Sequence, residues 1–142
     1  MTISAILQNK GSDIISVSSA SIVRDAVALL AEKRIGALPV IDAGKVVGIF
    51  SERDVVYSVA KLGAAALEQS VGEIMTSPAL TVAPDHDVMA GLSLMTRRRI
   101  RHLPVVEGET VLGFISIGDL VKFRIDKIEA EASAMRDYIQ MA

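Results

Sequence analysis

The sequence predicts an α/β fold made of two copies of one supersecondary unit, followed by an extended C-terminal helix. First, residues 35–56 (IGALPVIDAGKVVGIFSERDVV) recur as residues 100–121 (IRHLPVVEGETVLGFISIGDLV), and Asp54 falls on Asp119, an offset of 65 positions without a gap. Second, the 142 residues are 51% apolar but only 4% aromatic, which favours strands of Val and Ile backed by helices. Third, short β-rich runs alternate with helical stretches in both copies.

The first repeat is expected to cover residues 1–69 in the order strand, helix, strand, strand, helix. The predicted elements are a helical turn at 4–8, a β-rich run at 14–18, a helix over 21–34, strands at 38–42 and 46–50, and a helix from 52 to about 67. Ser4 is the candidate N-cap of the opening turn, and Gly36 is expected to end the first long helix. Residues 43–45 (AGK) form the hairpin turn.

The second repeat is expected to cover residues 70–126, with residues 127–142 as a C-terminal extension. Ser70 and Glu73 have the spacing of a capping box at its start, and Asp87 can cap the next helix. The predicted elements are a short strand at 79–83, a helix from 87 to 99, strands at 103–107 and 111–115, and one long helix over 118–141.

The last helix carries its own apolar stripe. Its members are spaced 4, 3, 4, 3 and 4 positions apart, the seam of a coiled coil over nearly three heptads; they are Val121, Ile125, Ile128, Ala132, Met135 and Ile139. The first turns can pack on their own repeat, but the later ones have no partner left there. We therefore expect the extension to make a homodimer contact, with packing inside the chain or a frayed tail as alternatives.

A serine and an aspartate three positions apart recur where a strand gives way to a helix, as Ser51 and Asp54 and as Ser116 and Asp119. Taken once, such a pair is an ordinary helix N-cap with a favourable first-turn charge. Taken twice in one repeat frame, it indicates ligand binding. A helix N-terminus attracts a phosphate, and a carboxylate one turn on can accept both hydroxyls of a ribose.

The pattern LPV, then V-x-G, then S-x-x-D at a helix start resembles the CBS (cystathionine β-synthase) domain, and the resemblance covers about residues 2–125. It implies a tandem pair related by pseudo-twofold symmetry, with clefts for adenine nucleotides between the repeats. In that family, the serine and aspartate positions contact phosphate and ribose. By this resemblance, the expected nucleotide-binding residues are Ser51, Asp54, Ser116, Asp119, Arg101, His102, Gly36, Ala37, Leu38, Pro39, Val17, Arg53 and Lys10.

Basic residues near the clefts are distributed unevenly between the copies. The run 97–99 (RRR) is interpreted as a solvated helix end rather than a nucleic-acid patch, because no aromatic platform lies nearby. By the family resemblance, Arg101 and His102 would bind the phosphate of a ligand at Asp54. Copy one has Gly36 and Ala37 at the matching positions, so the Asp119 cleft is expected to be short of charge. Arg53 is interpreted as a surface helix residue, with a second phosphate ligand near Asp54 as the alternative. Lys10 and Lys122 are weaker candidates of the same type.

Other functions have less support from the composition. The chain has a net charge of −2 and no cysteine, so no overall field attracts nucleic acid, and thiolate sites are excluded. Residues 85–87 (DHD) are three consecutive residues at a helix start and do not converge on a metal, so no metal is predicted. No nucleophile–base pair or phosphate-binding glycine loop is found, so an enzyme is not expected. The N-terminus lacks the pattern of a signal peptide, and no stretch is long enough to cross a membrane.

The sequence therefore predicts a cytoplasmic regulatory module that binds AMP, ADP, ATP or NAD. Ligand binding would change how the repeats or subunits pack, and a regulated protein acting in trans would respond. The leading alternative is a structural or interaction protein whose clefts stay unoccupied. Nucleic-acid binding is a more distant alternative. The Asp54 cleft is expected to bind the nucleotide more strongly, because only that cleft is expected to gain Arg101 and His102.

Overall fold

The computed structural model of the chain describes residues 1–11 and 13–141. Its elements are α1 (Ile3–Lys10), α2 (Val23–Lys33), β1 (Ala37–Asp42), β2 (Lys45–Ser51), α3 (Glu52–Leu62), a 3-10 helix (Gly63–Glu68), α4 (Val71–Ile74), α5 (Val88–Arg98), β3 (His102–Glu107), β4 (Thr110–Ser116) and α6 (Ile117–Met141). The α/β class, the two repeats and the long C-terminal helix are confirmed. Among the described residues, no helix is both long and apolar enough to cross a bilayer.

Each repeat is centred on an antiparallel hairpin. Strand β1 pairs with β2 so that Leu38 lies opposite Phe50, and β3 pairs with β4 so that Leu103 lies opposite Ile115. These four side chains are fully buried. Both hairpins have a register shift at the same place, between residues 40 and 41 and between residues 105 and 106. The internal repeat therefore extends to the backbone irregularities as well as the residues.

The predicted β-rich runs at 14–18 and 79–83 contribute one parallel bridge each, rather than full strands. Val17 bridges to Val40 and Val82 bridges to Val105. The N–H of Val17 donates to the carbonyl of Pro39 at 3.2 Å. Each segment covers the free edge of its hairpin through this bridge.

Two hydrophobic clusters form the interior. The first cluster is built on β1 and β2, and the second cluster is built on β3 and β4. Each contains a segment from the other half of the sequence. Ile3 and Ile6 of α1 are buried in the second cluster, together with Leu103 and Leu120. Val71 of α4, which begins just after the first repeat, is buried in the first cluster with Phe50. The division of the chain at residues 69 and 70 remains a prediction, while the packing links the two repeats through these exchanged helices.

Several helix ends differ from the sequence-based expectation. Thr2, not Ser4, precedes α1, and it makes no side-chain cap. Helix α2 ends at Arg34 in the left-handed conformation (φ 54°), before Gly36 is reached. The Ser70 hydroxyl bonds to the Glu73 carboxylate at 3.2 Å instead of capping α4, so this pair closes on itself and forms no capping box.

Candidate functional site

The start of α3 holds the first serine–aspartate pair in a reciprocal cap. The Ser51 N–H donates to Asp54 Oδ2 at 2.9 Å, and the Asp54 N–H donates to Ser51 Oγ at 3.4 Å. The Ser51 hydroxyl also lies 3.0 Å from Asp54 Oδ2. The second carboxylate oxygen of Asp54, Oδ1, accepts a hydrogen bond from the Thr76 hydroxyl at 2.9 Å. Both oxygens of Asp54 are therefore engaged.

The start of α6 repeats this cap with a different outer partner. The Ser116 N–H donates to Asp119 Oδ2 at 2.8 Å, and the Asp119 N–H donates to Ser116 Oγ at 3.1 Å. The ammonium of Lys10 then donates to Asp119 Oδ2 at 2.6 Å and to the carbonyl of Phe114 at 2.8 Å. An ion pair in the second repeat thus replaces the neutral hydroxyl contact of the first.

A cleft of about 410 Å³ opens at the Asp119 end of the molecule. Its walls come from both repeats, and of the predicted site residues it brings together Lys10, Gly36, Ala37, His102, Ser116 and Asp119. We call it the Asp119 cleft. Its volume lies within the range of about 300–1,000 Å³ that is usual for small-molecule sites. The second helix start therefore faces a space of ligand size.

His102 lines the Asp119 cleft, whereas the family resemblance had assigned it to Asp54. Its ring stacks on Phe114, with centroids 5.4 Å apart and planes at 12°. Burial lowers the pKa of His102, and the nearby Lys10 ammonium lowers it further. The partner of β3 explains the placement, because His102 lies opposite Ser116 in the hairpin register.

The Asp119 cleft is not short of positive charge, contrary to the expectation from Gly36 and Ala37. Lys10 and Arg34 both line it. Burial alone would raise the pKa of Asp119, but hydrogen bonds from Lys10 and Ser116 outweigh this effect and hold the pKa below its usual value. Asp119 is thus a carboxylate anion paired with the Lys10 ammonium of the same chain.

The remaining predicted residues lie outside the lining of the Asp119 cleft. Leu38 and Pro39 are buried in β1, and Val17 covers its edge. The exposed Arg101 is held through its carbonyl, which accepts the Ile117 N–H at 2.7 Å. The Arg53 guanidinium reaches the carbonyl of Arg99 at 3.3 Å. Their contact with a ligand remains a prediction.

Sequence reasoning missed several residues that line the Asp119 cleft or contact Asp54, among them Arg34, Phe114 and Thr76. Arg34 falls on Arg99 in the repeat frame, and this identity across the copies was a usable signal. Phe114 lies two positions before Ser116 on β4, so the two-residue period of a strand places both on one face. Thr76 gave no comparable signal, because only the folded chain brings it to Asp54. The other lining residues that were not predicted are Asp13, Ile14, Ile15 and Ile35.

The segment 85–87 has a structural role. Asp87 Oδ2 accepts the Ala90 N–H at 3.1 Å and so caps α5, as predicted. Among the residues that the structure describes, no group of three or more His, Asp or Glu side chains is arranged to hold a metal ion.

Comparison with known proteins gives consistent results. The CBS-domain family profile matches residues 9–61 and 71–126. The CBS domain-containing protein CBSX3, mitochondrial, of Arabidopsis thaliana is 32% identical over 148 residues, which cover 98% of this chain and 72% of that protein. The crystal structure of a CBS-domain-containing protein from Agrobacterium tumefaciens is 40% identical, with a TM-score of 0.83 over 87% of this chain and 92% of the other. The resemblance seen in the repeated motifs is confirmed.

One further solved relative was crystallised with ligands. The CBS domain pair of protein MJ0100 is 26% identical to this chain and has a TM-score of 0.78 over 89% of this chain and 98% of its own. That structure is a complex with 5′-methylthioadenosine and S-adenosyl-L-methionine. Both of these ligands contain adenosine.

Proposed function

The chain belongs to the CBS-domain family as a tandem pair, and from that premise we propose that it is a regulatory module that binds an adenosine-containing ligand in the Asp119 cleft. The candidate ligands are AMP, ADP, ATP and NAD. The observation that carries the proposal is the cleft of about 410 Å³, in which the capped helix start of α6 meets side chains from the other repeat. The adenosine ligands of MJ0100 support the choice of ligand class.

The chemistry of the cleft suits such a ligand. The start of the long helix α6 offers positive potential to a phosphate, and the Ser116 hydroxyl adds a donor. Oδ1 of the Asp119 carboxylate can accept a hydrogen bond from a ribose hydroxyl, while Oδ2 is held by Ser116 and Lys10. Ile14, Ile15 and Ile35 offer an apolar wall for the base. Each part of an adenine nucleotide therefore has a matching group in one cleft.

The proposed role is regulation rather than catalysis. A ligand that touches both repeats can change their packing only if it binds two arrangements with unequal affinity. A regulated protein in trans would then respond to that difference. The cytoplasm is the proposed compartment, and the absence of cysteine is compatible with its reducing conditions.

We further propose a homodimer through α6. Every described residue of α6 from 129 onward is exposed in the single chain. Ile128, Met135 and Ile139 are 47%, 60% and 65% exposed along one stripe. A lone helix of this length is marginal in water, and its stability normally comes from packing of its apolar face. A second copy of the same stripe would supply that packing.

Titration calorimetry tests the ligand proposal with AMP, ADP, ATP and NAD on the wild type and on two matched variants. We expect micromolar-range binding of at least one nucleotide. Asp119→Ala should weaken it at least about tenfold, because charge-assisted hydrogen bonds to the ribose are lost. Asp54→Ala should have the smaller effect, which reverses the sequence-based expectation, because both Asp54 oxygens are already occupied.

Two results would count against this assignment. A larger loss in Asp54→Ala than in Asp119→Ala would move the primary site to the other cleft. If none of the four nucleotides gives a heat change at millimolar concentration, the nucleotide-sensor proposal fails, and the alternative of a structural protein with unoccupied clefts is favoured.

A further inference from the structure

We propose that Lys10 makes the Asp119 cleft selective for charge, so that it takes adenosine ligands bearing an anionic group at the 5′ position in preference to neutral or cationic ones. The inference rests on the proposed function and deepens it, because it names the residue that selects among adenosine ligands. It is carried by the position of the Lys10 ammonium, by the way Asp119 is occupied, and by the contrast with the Asp54 pair.

The ammonium of Lys10 is held in place at the cleft. It belongs to the last turn of α1, which is anchored in the second hydrophobic cluster by the buried Ile3 and Ile6. Its two acceptors, Asp119 Oδ2 at 2.6 Å and the Phe114 carbonyl at 2.8 Å, come from successive elements, α6 and β4. The Lys10 side chain is 43% exposed, but its two acceptors hold the ammonium at the edge of the cleft.

The ion pair leaves one donor and one acceptor for a ligand. An ammonium has three N–H groups, and two of them point at the acceptors already named. The bonds from Ser116 and Lys10 both end on Oδ2 of Asp119, so within the described residues Oδ1 remains available. A ligand with a hydroxyl pair near an anion, as in a nucleoside 5′-phosphate, can satisfy both groups together.

The first repeat provides a natural contrast. There the outer contact of the aspartate is the Thr76 hydroxyl, which carries no charge. It bonds to Oδ1, the oxygen that is left available in Asp119. The same serine–aspartate cap is thus combined with a neutral donor in one repeat and with a cation in the other.

The charges that line the Asp119 cleft make the balance sensitive to Lys10. Lys10 and Arg34 offset Asp13 and Asp119. Removing the Lys10 charge leaves the cleft with a net negative charge, which repels a phosphate and attracts a sulfonium. Keeping the charge with an arginine should keep the preference for an anion.

The test measures the affinities of AMP, adenosine and S-adenosylmethionine by calorimetry, since the three differ in charge. Wild type should prefer AMP. In Lys10→Met, the ratio of AMP affinity to adenosine affinity should fall roughly tenfold or more, as expected for loss of a charge-assisted hydrogen bond. S-adenosylmethionine should bind more tightly than to wild type. Lys10→Arg should retain the wild-type ratio, and Lys127→Met, a matched change on the exposed part of α6, should leave it unaltered.

The outcomes separate this inference from the proposed function. If Lys10→Met weakens AMP and adenosine equally while its unfolding temperature matches wild type, Lys10 only supports the cleft and the inference is overturned. A shift of the ratio in Lys127→Met as large as in Lys10→Met would overturn it as well, because the effect would then be a general one of net charge. If wild type binds none of the three ligands, the proposed function fails and the inference fails with it.

Discussion

Asp54 and Asp119 occupy the same position in their repeats, yet a hydroxyl contacts the first and an ammonium contacts the second. The outer partners are Lys10, in the last turn of the exchanged helix α1, and Thr76, two residues after the end of the exchanged helix α4. Because these partners lie outside the repeated stretch, they can change without disturbing the serine–aspartate cap. This arrangement lets two copies of one motif acquire different ligand preferences.

His102 predicts a pH dependence of stability. Its pKa is lowered in the folded chain by burial and by Lys10, so the unfolded chain binds a proton more readily. The stability from neutral His102 is complete above the unfolded value, near 6.5, and is lost as pH falls toward the folded value. We expect the free energy of unfolding to decrease from pH 7.5 to 5.5, and to decrease less in His102→Gln. Urea denaturation at several pH values measures it.

The acidic residues with shifted pKa values titrate outside the range of pH 5.5 to 7.5. Hydrogen bonds from Ser19 hold the pKa of Asp42 below its ordinary value, and the pKa of Asp119 is also lowered. Stability from these carboxylates is lost only as pH falls below about 3.8 toward their folded pKa values. An equal decrease between pH 7.5 and 5.5 in His102→Gln and wild type would show that another group is responsible.

At the scale of single elements, the two hairpin turns place different residues at the same left-handed position. Ala43 has φ 50° in the first turn, and Gly108 has φ 61° at the matching place in the second. A side chain in the left-handed region costs about 1–2 kcal/mol. We expect Ala43→Gly to raise the free energy of unfolding by about 0.5–1 kcal/mol, since glycine's greater unfolded-state entropy offsets part of the relief. Chemical denaturation checks the change.

The reciprocal substitution is the control. An added Cβ at Gly108 meets no atom within 4 Å, so Gly108→Ala changes only the backbone preference. It should destabilise the protein by a similar amount. If both substitutions shift stability in the same direction, the turn conformation is not what separates the two residues.

The C-terminal helix predicts the oligomeric state. In a symmetric contact, Ile128→Glu combined with Met135→Glu would place like charges against each other on the stripe. We expect the wild type to scatter light as a dimer at micromolar concentration and the double variant as a monomer. Ala130→Glu combined with Ser133→Glu, which adds the same two charges to α6 away from the stripe, is the matched control and should remain dimeric. A double variant that keeps the wild-type mass would remove α6 from the interface.

The elements with strong periodic patterns were predictable, and those set by contacts distant in sequence were not. The hairpins and α5 follow from the repeated apolar runs, the turn residues and the Asp87 cap. The end of α2 was misplaced because Arg34, not glycine, takes the left-handed conformation there, its N–H bonding to carbonyls of the last turn. The runs at 14–18 and 79–83 were overestimated, because composition does not reveal that only one bridge forms in each.

At the scale of the whole molecule, α1 begins the chain but packs with the second repeat. Ile3 is fully buried among residues of the second cluster. Ile3→Ala should reduce the free energy of unfolding by about 2–5 kcal/mol, whereas Gln8→Ala, on the exposed side of α1, should change it little. Amide hydrogen exchange should accelerate first in β3 and β4. Acceleration first in β1 and β2 would contradict the placement of α1.

The candidate site depends on this same arrangement. Ser116 and Asp119 could be found from the repeat alone, because they recur in register with Ser51 and Asp54. The partnership of Lys10 with Asp119 could not be found that way, since it joins positions separated by 109 residues. It follows only once α1 is packed into the second cluster.

The exchange of helices also has a consequence during synthesis. Ile3 leaves the ribosome more than 100 residues before Leu120, its neighbour in the second cluster. At a synthesis rate of about 5–20 residues per second, the apolar face of α1 stays exposed to the cell for on the order of ten seconds before Leu120 is made. The first cluster draws on no residue beyond Met75, so it can close about midway through synthesis, whereas the second cluster is complete only after Leu120 has emerged.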